Sequence, residues 1–168
     1  VGRFSGAWPM TPVWEQKDVA KPDTCQANGI SSNGRSVGWR RSGVTGLYAN
    51  YVSDWTTTNN PSVWHFPGLD GTTAGQAYAV SADGTIIFGC SPLVVGGVTN
   101  TCGYRAVFNA AYPGPAARLS IHLLPNLPDP TGSATIAIPY GCTADGKHAV
   151  GTCNRGGIER AVVWNTSD

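Results

Sequence analysis

Charge is scarce in this sequence. Asp, Glu, Lys and Arg make up 12% of its 168 residues, and the formal net charge is +1. Nucleic-acid binding calls for a basic stripe or patch. The nearest thing to one is Arg40-Arg41, which reads as a solvated edge. Long apolar runs are also missing, and none approaches the ~20 residues that span a bilayer, so no membrane span is expected. No signal peptide is visible, although a mature secreted chain has lost its own. Nowhere is a 3.6-residue apolar period sustained, which disfavours helices. There is no CxxC pair, and His148, the histidine nearest a cysteine, lacks a partner at zinc-motif spacing. No metal and no cofactor are therefore expected. The G-x-S-x-G nucleophile elbow is absent from Ser5-Gly6, Ser42-Gly43 and Gly89-Cys90-Ser91.

What fills the space is 22 Gly and 12 Pro with many Thr, Ser, Asn, Val and Tyr residues. That is the composition of short strands joined by turns. The class is all-β.

Five cysteines need placing. Cys90 and Cys102 flank Leu93–Thr99, which reads as two strand ends around a Gly-Gly turn, so a hairpin there is expected to bridge Cys90 to Cys102. Cys142 and Cys153 flank a second turn at Asp145-Gly146 and form a second candidate pair. Cys25 is left over, free or paired between chains. Disulfides place a protein outside the cytoplasm.

The chain also resembles itself. Ala27–Gly38, Ala77–Gly89 and Ile138–Gly151 share one pattern: a strand, a polar-Gly turn (Asn33-Gly34, Asp83-Gly84, Asp145-Gly146), then a strand closing on an apolar residue and Gly. Asn-Gly and Asp-Gly between strands are strong hairpin signals, and a two-residue turn of this kind needs positive φ at both positions. Aromatic-ended strands follow at Tyr48–Trp55, Tyr104–Asn109 and Arg160–Asn165. A fourth strand follows in two cases, Val63–Leu69 and Ile121–Leu127. The expected architecture is repeated four-stranded antiparallel units, β-propeller-like, as two full and two partial blades over 1–22, 23–72, 73–130 and 131–168.

The run Ala77–Gly89, the later Arg105-Ala106-Val107-Phe108-Asn109 and the Leu-Pro-x-Leu element resemble the HAF-type probable extracellular repeat. The resemblance is strongest over 63–168 and weaker over 27–55. It implies a secreted or surface-attached bacterial protein of propeller-like build. It transfers no active site.

The residues that look chemical have plainer uses. His65 and His122 precede equivalent Phe/Leu-Pro elements and read as structural; His148 reads as exposed. Asp83 and Asp145 sit in hairpin turns that need them for backbone reasons, and a calcium loop needs more oxygen ligands than either has nearby. Glu15 and Glu159 cannot be paired into a glycosidase site by sequence. Trp14, Trp55, Trp64 and Trp164 recur at strand ends as packing residues. Trp8 and Trp39, with Tyr48 and Tyr51 on the aromatic strand, are the candidate binding residues.

The function expected from these observations is a non-enzymatic extracellular or cell-surface module for binding or self-assembly. Its partners are other copies of itself, or surface proteins or glycans. Unfinished terminal units leave strand edges that invite strand addition. The alternatives are a carbohydrate-binding module using the aromatic residues and, third, a hydrolase on a propeller scaffold.

Overall fold

The structure is a computed structural model that describes residues 2–5, 11–14, 24–43, 45, 47–54, 62–72, 74–108, 119–127 and 134–166. Those residues form strands and turns without a helix, and the sheets are antiparallel. A short ribbon pairs β1 (Gly2–Ser5) with β2 (Thr11–Trp14). Sheet I is the meander β3 (Thr24–Ile30), β4 (Arg35–Arg41), β5 (Tyr48–Asp54) and β6 (Ser62–His65). Sheet II follows with β7 (Gln76–Val80), β8 (Ile86–Val95), β9 (Val98–Phe108) and β10 (Leu119–Leu123). Sheet III comprises β11 (Ala137–Cys142), β12 (His148–Arg155) and β13 (Ile158–Asn165).

The first hairpin of each sheet turns in the same way. Ser81 donates its N–H to the Ile86 carbonyl (2.8 Å), and its hydroxyl accepts from the Ile86 N–H (2.9 Å) while donating to Asp83 (2.6 Å). Ser31 makes the same set with Arg35 and Asn33, and Thr143 with His148 and Asp145. A Gly N–H closes each turn on the carbonyl three residues back (Gly34, Gly84 and Gly146). Within these turns only the Gly has positive φ, at 85°, 73° and 66°, and among the described residues no other residue type does. The expected two-residue turn with positive φ at Asn or Asp is therefore corrected. Each is a longer loop, a type I turn followed by a left-handed Gly, in which Asn or Asp serves as a hydrogen-bond acceptor. The two-residue form occurs instead at Gly96-Gly97, where both φ are positive and Val95 pairs with Val98.

A bulge interrupts the first strand of each sheet, between Ala27/Gly29, Ala77/Ala79 and Pro139/Gly141. Opposite it stands Gly38, Gly89 or Gly151. A Cβ at any of these would sit closer than 3.0 Å to the carbonyl oxygen of Gln26, Gln76 or Ile138. The closing Gly is thus required by the close approach of two backbones.

Sheet II lies between the other two. Val37, Val52 and Phe66 of the sheet I side pack on Ala77, Ile87, Tyr104, Ala106 and Phe108. On the opposite side Ala79, Phe88 and Leu124 pack on Ala137, Ala149, Cys153 and Trp164. Sheet II is accordingly apolar on both faces, and its strands read as continuous apolar runs (Ile86-Ile87-Phe88) instead of strict alternation.

The cysteine pairs do not form. Cys90 stands opposite Gly103, and Cys102 opposite Ser91. Successive side chains alternate between faces, so this one-residue offset sends the Cys90 and Cys102 side chains to opposite sides of sheet II. Cys142 pairs with Ala149 and Cys153 with Ala137; those positions are about 13 Å apart along β12 at ~3.3 Å per residue, beyond disulfide reach. All five cysteines are free thiols.

Candidate functional site

Interactions between the sheets repeat from one interface to the next. The Ser32 N–H donates to the Ala82 carbonyl (2.9 Å), and the Ala82 N–H donates to the Ala144 carbonyl (2.8 Å). One turn thus hands on to the next. Around the first contact, the Asn33 amide donates to the Asp83 carbonyl (2.7 Å) and Arg35 Nη1 to the Gly84 carbonyl (3.1 Å). The bulge residues touch as well. Asn28 donates to the Ala77 carbonyl at 2.8 Å, and the Tyr78 and Tyr140 rings meet edge to face at 5.4 Å.

Deeper in, Asn50 is fully buried and its Oδ1 accepts from the Tyr104 hydroxyl (2.9 Å), joining sheets I and II. Asn100 and Asn154 join the segment before β11 to its neighbours. Asn100 Oδ1 accepts from the Thr135 N–H (2.7 Å), and Asn154 Oδ1 from the Ile136 N–H (2.6 Å). Residue pattern alone does not single out these asparagines. The only cue was their place beside a closing strand, since a buried amide looks like any polar residue until its partner is known.

The series stops at sheet III. Val37 and Val52 pair across β4 and β5 and are 0% and 1% exposed beneath sheet II. The corresponding pair on β12 and β13 is Val150 with Val163, 50% and 70% exposed. Tyr140, on the neighbouring strand β11, is half exposed. Thr152 and Ala161, paired one step along, face the same way by strand alternation. Sheet III also differs at its edge: β5 and β9 are flanked on both sides, whereas β13 pairs only with β12 among the described strands.

The predicted aromatic residues separate. Trp39 and Tyr48 meet edge to face at 5.0 Å, with the Arg41 guanidinium 5.7 Å from the Tyr48 ring centre, at an end of sheet I. Tyr51 is 2% exposed and forms part of the interior, and burial, with a smaller contribution from Cys25, raises its phenol well above the usual range. It is therefore removed from the candidate surface residues. Trp8, Trp55 and Glu15 lie outside the described residues.

Titratable groups serve the fold. Asp83 loses some solvation, but hydrogen bonds from Ser81 and Thr85 outweigh that and hold its carboxyl below the usual range. Asp145 is lowered by the Thr143 hydroxyl and the Lys147 N–H. Burial pushes the Cys90 thiol up to about 12. His65 Nδ1 lies 3.1 Å from the Asn50 carbonyl, while the His122 and His148 side chains are exposed. No group of three or more His, Cys, Asp or Glu residues capable of holding a metal occurs among the described residues, and no helix of the described chain is long and apolar enough to cross a membrane.

No family model matches the chain, and no curated protein or solved structure does either.

Proposed function

We propose that this chain is an extracellular or cell-surface module of propeller-like, stacked β units that acts without catalysis, by binding or self-assembly. The observation that carries the reading is the serial contact through the turns, Ser32 to Ala82 and Ala82 to Ala144, repeated with the same donor and acceptor types. Contacts copied from one sheet to the next belong to a stack that is extended by adding units. The exposed Val150 and Val163, and β13, which pairs only with β12 among the described strands, stand where such an extension ends. The location rests on the likeness to HAF-type extracellular repeats, because the cysteines form no bridge that argues for an oxidising compartment.

A second reading, carbohydrate binding, is favoured by Trp39 and Tyr48 at the end of sheet I, the latter 38% exposed. Arg41 lies over the Tyr48 ring, so a sugar stacking there displaces it. Size-exclusion chromatography with light scattering over a wide concentration range, run beside a glycan array, tests both. Mass that rises with concentration supports assembly, and a glycan whose retention is lost in Trp39→Ala supports the second reading. A monomer at every concentration that retains no glycan overturns both.

A further inference from the structure

The open face of sheet III has a chemistry that specifies what covers it. Its middle is apolar or uncharged: Val150 opposite Val163, and Thr152 opposite Ala161. Its charged and titratable groups stand at the two ends of the strands. Alternation along β12 and β13 puts His148 and Asn165 at one end of this face and Asn154 and Glu159 at the other. The corresponding faces of sheets I and II are each covered by another sheet of the same chain, with Val37, Val52 and Phe88 at 0–1% exposure. Among the described residues nothing covers the third, which carries Val163 at 70% exposure.

We infer that this face docks the same face of a second copy of the chain, about a two-fold axis lying between the sheets and across the strands. The inference rests on the self-assembly reading above and names its surface. Such an axis sets valines against the Thr152 and Ala161 region of the partner, forming an apolar centre of the kind two stacked sheets bury. It also brings the Glu159 end of one copy over the His148 end of the other. Each strand then lies over its own counterpart, so Glu159 stands over Asn165, one strand away from His148, and the carboxylate faces hydrogen-bond donors instead of a second carboxylate. The other rotation, with its axis along the strands, gathers the two Glu159-bearing ends together and is disfavoured by like-charge repulsion. A second copy is favoured over an unrelated partner because this sequence twice covers the matching positions with its own sheets, there with the opposite face of the next sheet; the charge layout is what favours the two-fold.

The experiment is sedimentation velocity on the full chain, comparing wild type with Val163→Lys, Val163→Ile and Val150→Thr. Residue 163 is exposed, so Val163→Lys leaves the fold intact, which circular dichroism and the melting curve check. The expected result is a dimer that Val163→Lys weakens about tenfold or more, because a lysine in an apolar centre must be desolvated without a partner. Val163→Ile retains it. If wild type associates and neither Val163→Lys nor Val150→Thr changes the affinity, this face is not the interface, while the self-assembly reading stands. If wild type is a monomer throughout, both fall. Maleimide labelling of Val163→Cys then separates the remaining occupants: protection assigns the face to a segment of the same chain, and reaction leaves it open for a different partner.

Discussion

The Tyr78 and Tyr140 rings meet edge to face at an interplanar angle of 76°, and each occupies the bulge in the first strand of its own sheet. A bulge leaves its residue out of the ladder and re-aims the side chain. Here it turns two such residues toward one another across the interface between sheets II and III. An edge-to-face pair adds about 0.5–1.5 kcal/mol beyond the area it buries. Because Tyr140 is half exposed, the lower end of that range is expected. A double-mutant cycle with Tyr78→Leu and Tyr140→Leu, read by urea denaturation, measures the coupling. A value indistinguishable from zero would separate the geometry from any energetic role.

The Ser81 hydroxyl is fully buried, accepts from the Ile86 N–H and donates to Asp83. Ser81→Ala leaves a backbone donor without its partner in a dry site. A loss of about 1–3 kcal/mol is expected from that desolvation. The same change at Thr143, which is exposed, lets water replace the hydroxyl and costs less. Equal losses at the two positions would show that burial does not set the cost.

Much of this arrangement was legible in the sequence, and the parts that were not have a common cause. The hairpins announced themselves through Asn33-Gly34, Asp83-Gly84, Asp145-Gly146 and Gly96-Gly97, because left-handed backbone needs Gly and the flanking residues alternate. Turn type is ambiguous in sequence, since Asn-Gly suits both a two-residue loop and a longer loop in which the Asn or Asp accepts a hydrogen bond from a Ser or Thr two residues earlier. The Ser31, Ser81 and Thr143 positions were the available signal for the second. Cys90 and Cys102 misled because a separation in sequence fixes how far around a hairpin two residues lie, and not which face each takes; Ser91 opposite Cys102 shifts the register by one. Tyr51, aromatic on an aromatic strand, reads as a surface residue, yet its partner across the ladder is Gly38, where the backbone closes in. The open face of sheet III was not legible at all. Val150 and Val163 look like core residues, and only the stacking order of the sheets leaves them exposed.

Two glycines separate steric from conformational cost. An Ala Cβ at Gly89 meets the Gln76 carbonyl and the Tyr104 hydroxyl, both fixed in the interior, while at Gly97 it meets nothing within 4 Å but inherits a φ of +80°. Left-handed backbone costs a non-Gly residue roughly 1–2 kcal/mol. A backbone clash that has to spread β7 from β8 costs more, on the order of 3 kcal/mol, as at other severe core changes. Gly97→Ala is expected to fold with a lowered melting temperature, and Gly89→Ala to unfold or express poorly. The reverse order in thermal melts would contradict the close approach at the bulge.

Acid is expected to loosen the first hairpins of sheets II and III. Asp83 and Asp145 titrate below the usual carboxylate range in the folded chain. A depressed folded pKa means that the unfolded chain binds the proton more tightly. The contribution is therefore fully present above the unfolded value of about 3.9 and is lost as pH falls through the folded value. Stability measured by denaturant titration should be flat from neutrality to about pH 5 and decline below about pH 4. Asp83→Asn combined with Asp145→Asn should flatten that decline. An unchanged slope in the double variant would assign acid sensitivity to other groups.

The thiols are expected to react in the order of their exposure. Cys25 is exposed and Cys142 half buried, whereas Cys90, Cys102 and Cys153 are buried. Alkylation needs the thiolate, and burial pushes the Cys90 thiol up to about 12 while also raising Cys102. With a pKa of about 12, roughly one Cys90 in a thousand is ionised at pH 9, and that fraction is shielded from reagent. Its modification must therefore wait for unfolding. Timed labelling with iodoacetamide followed by peptide mapping should show Cys25 first, Cys142 next, and the three buried cysteines together at the rate of global opening. A non-reducing map tests the register itself, because a Cys90–Cys102 bridge requires both sulfurs on one face of sheet II. Finding that bridge in the folded protein would mean that β8 and β9 pair one residue away from the alignment that sets Ser91 opposite Cys102, and the burial of Phe88 and Ile87 on their separate faces would have to be reassigned with it.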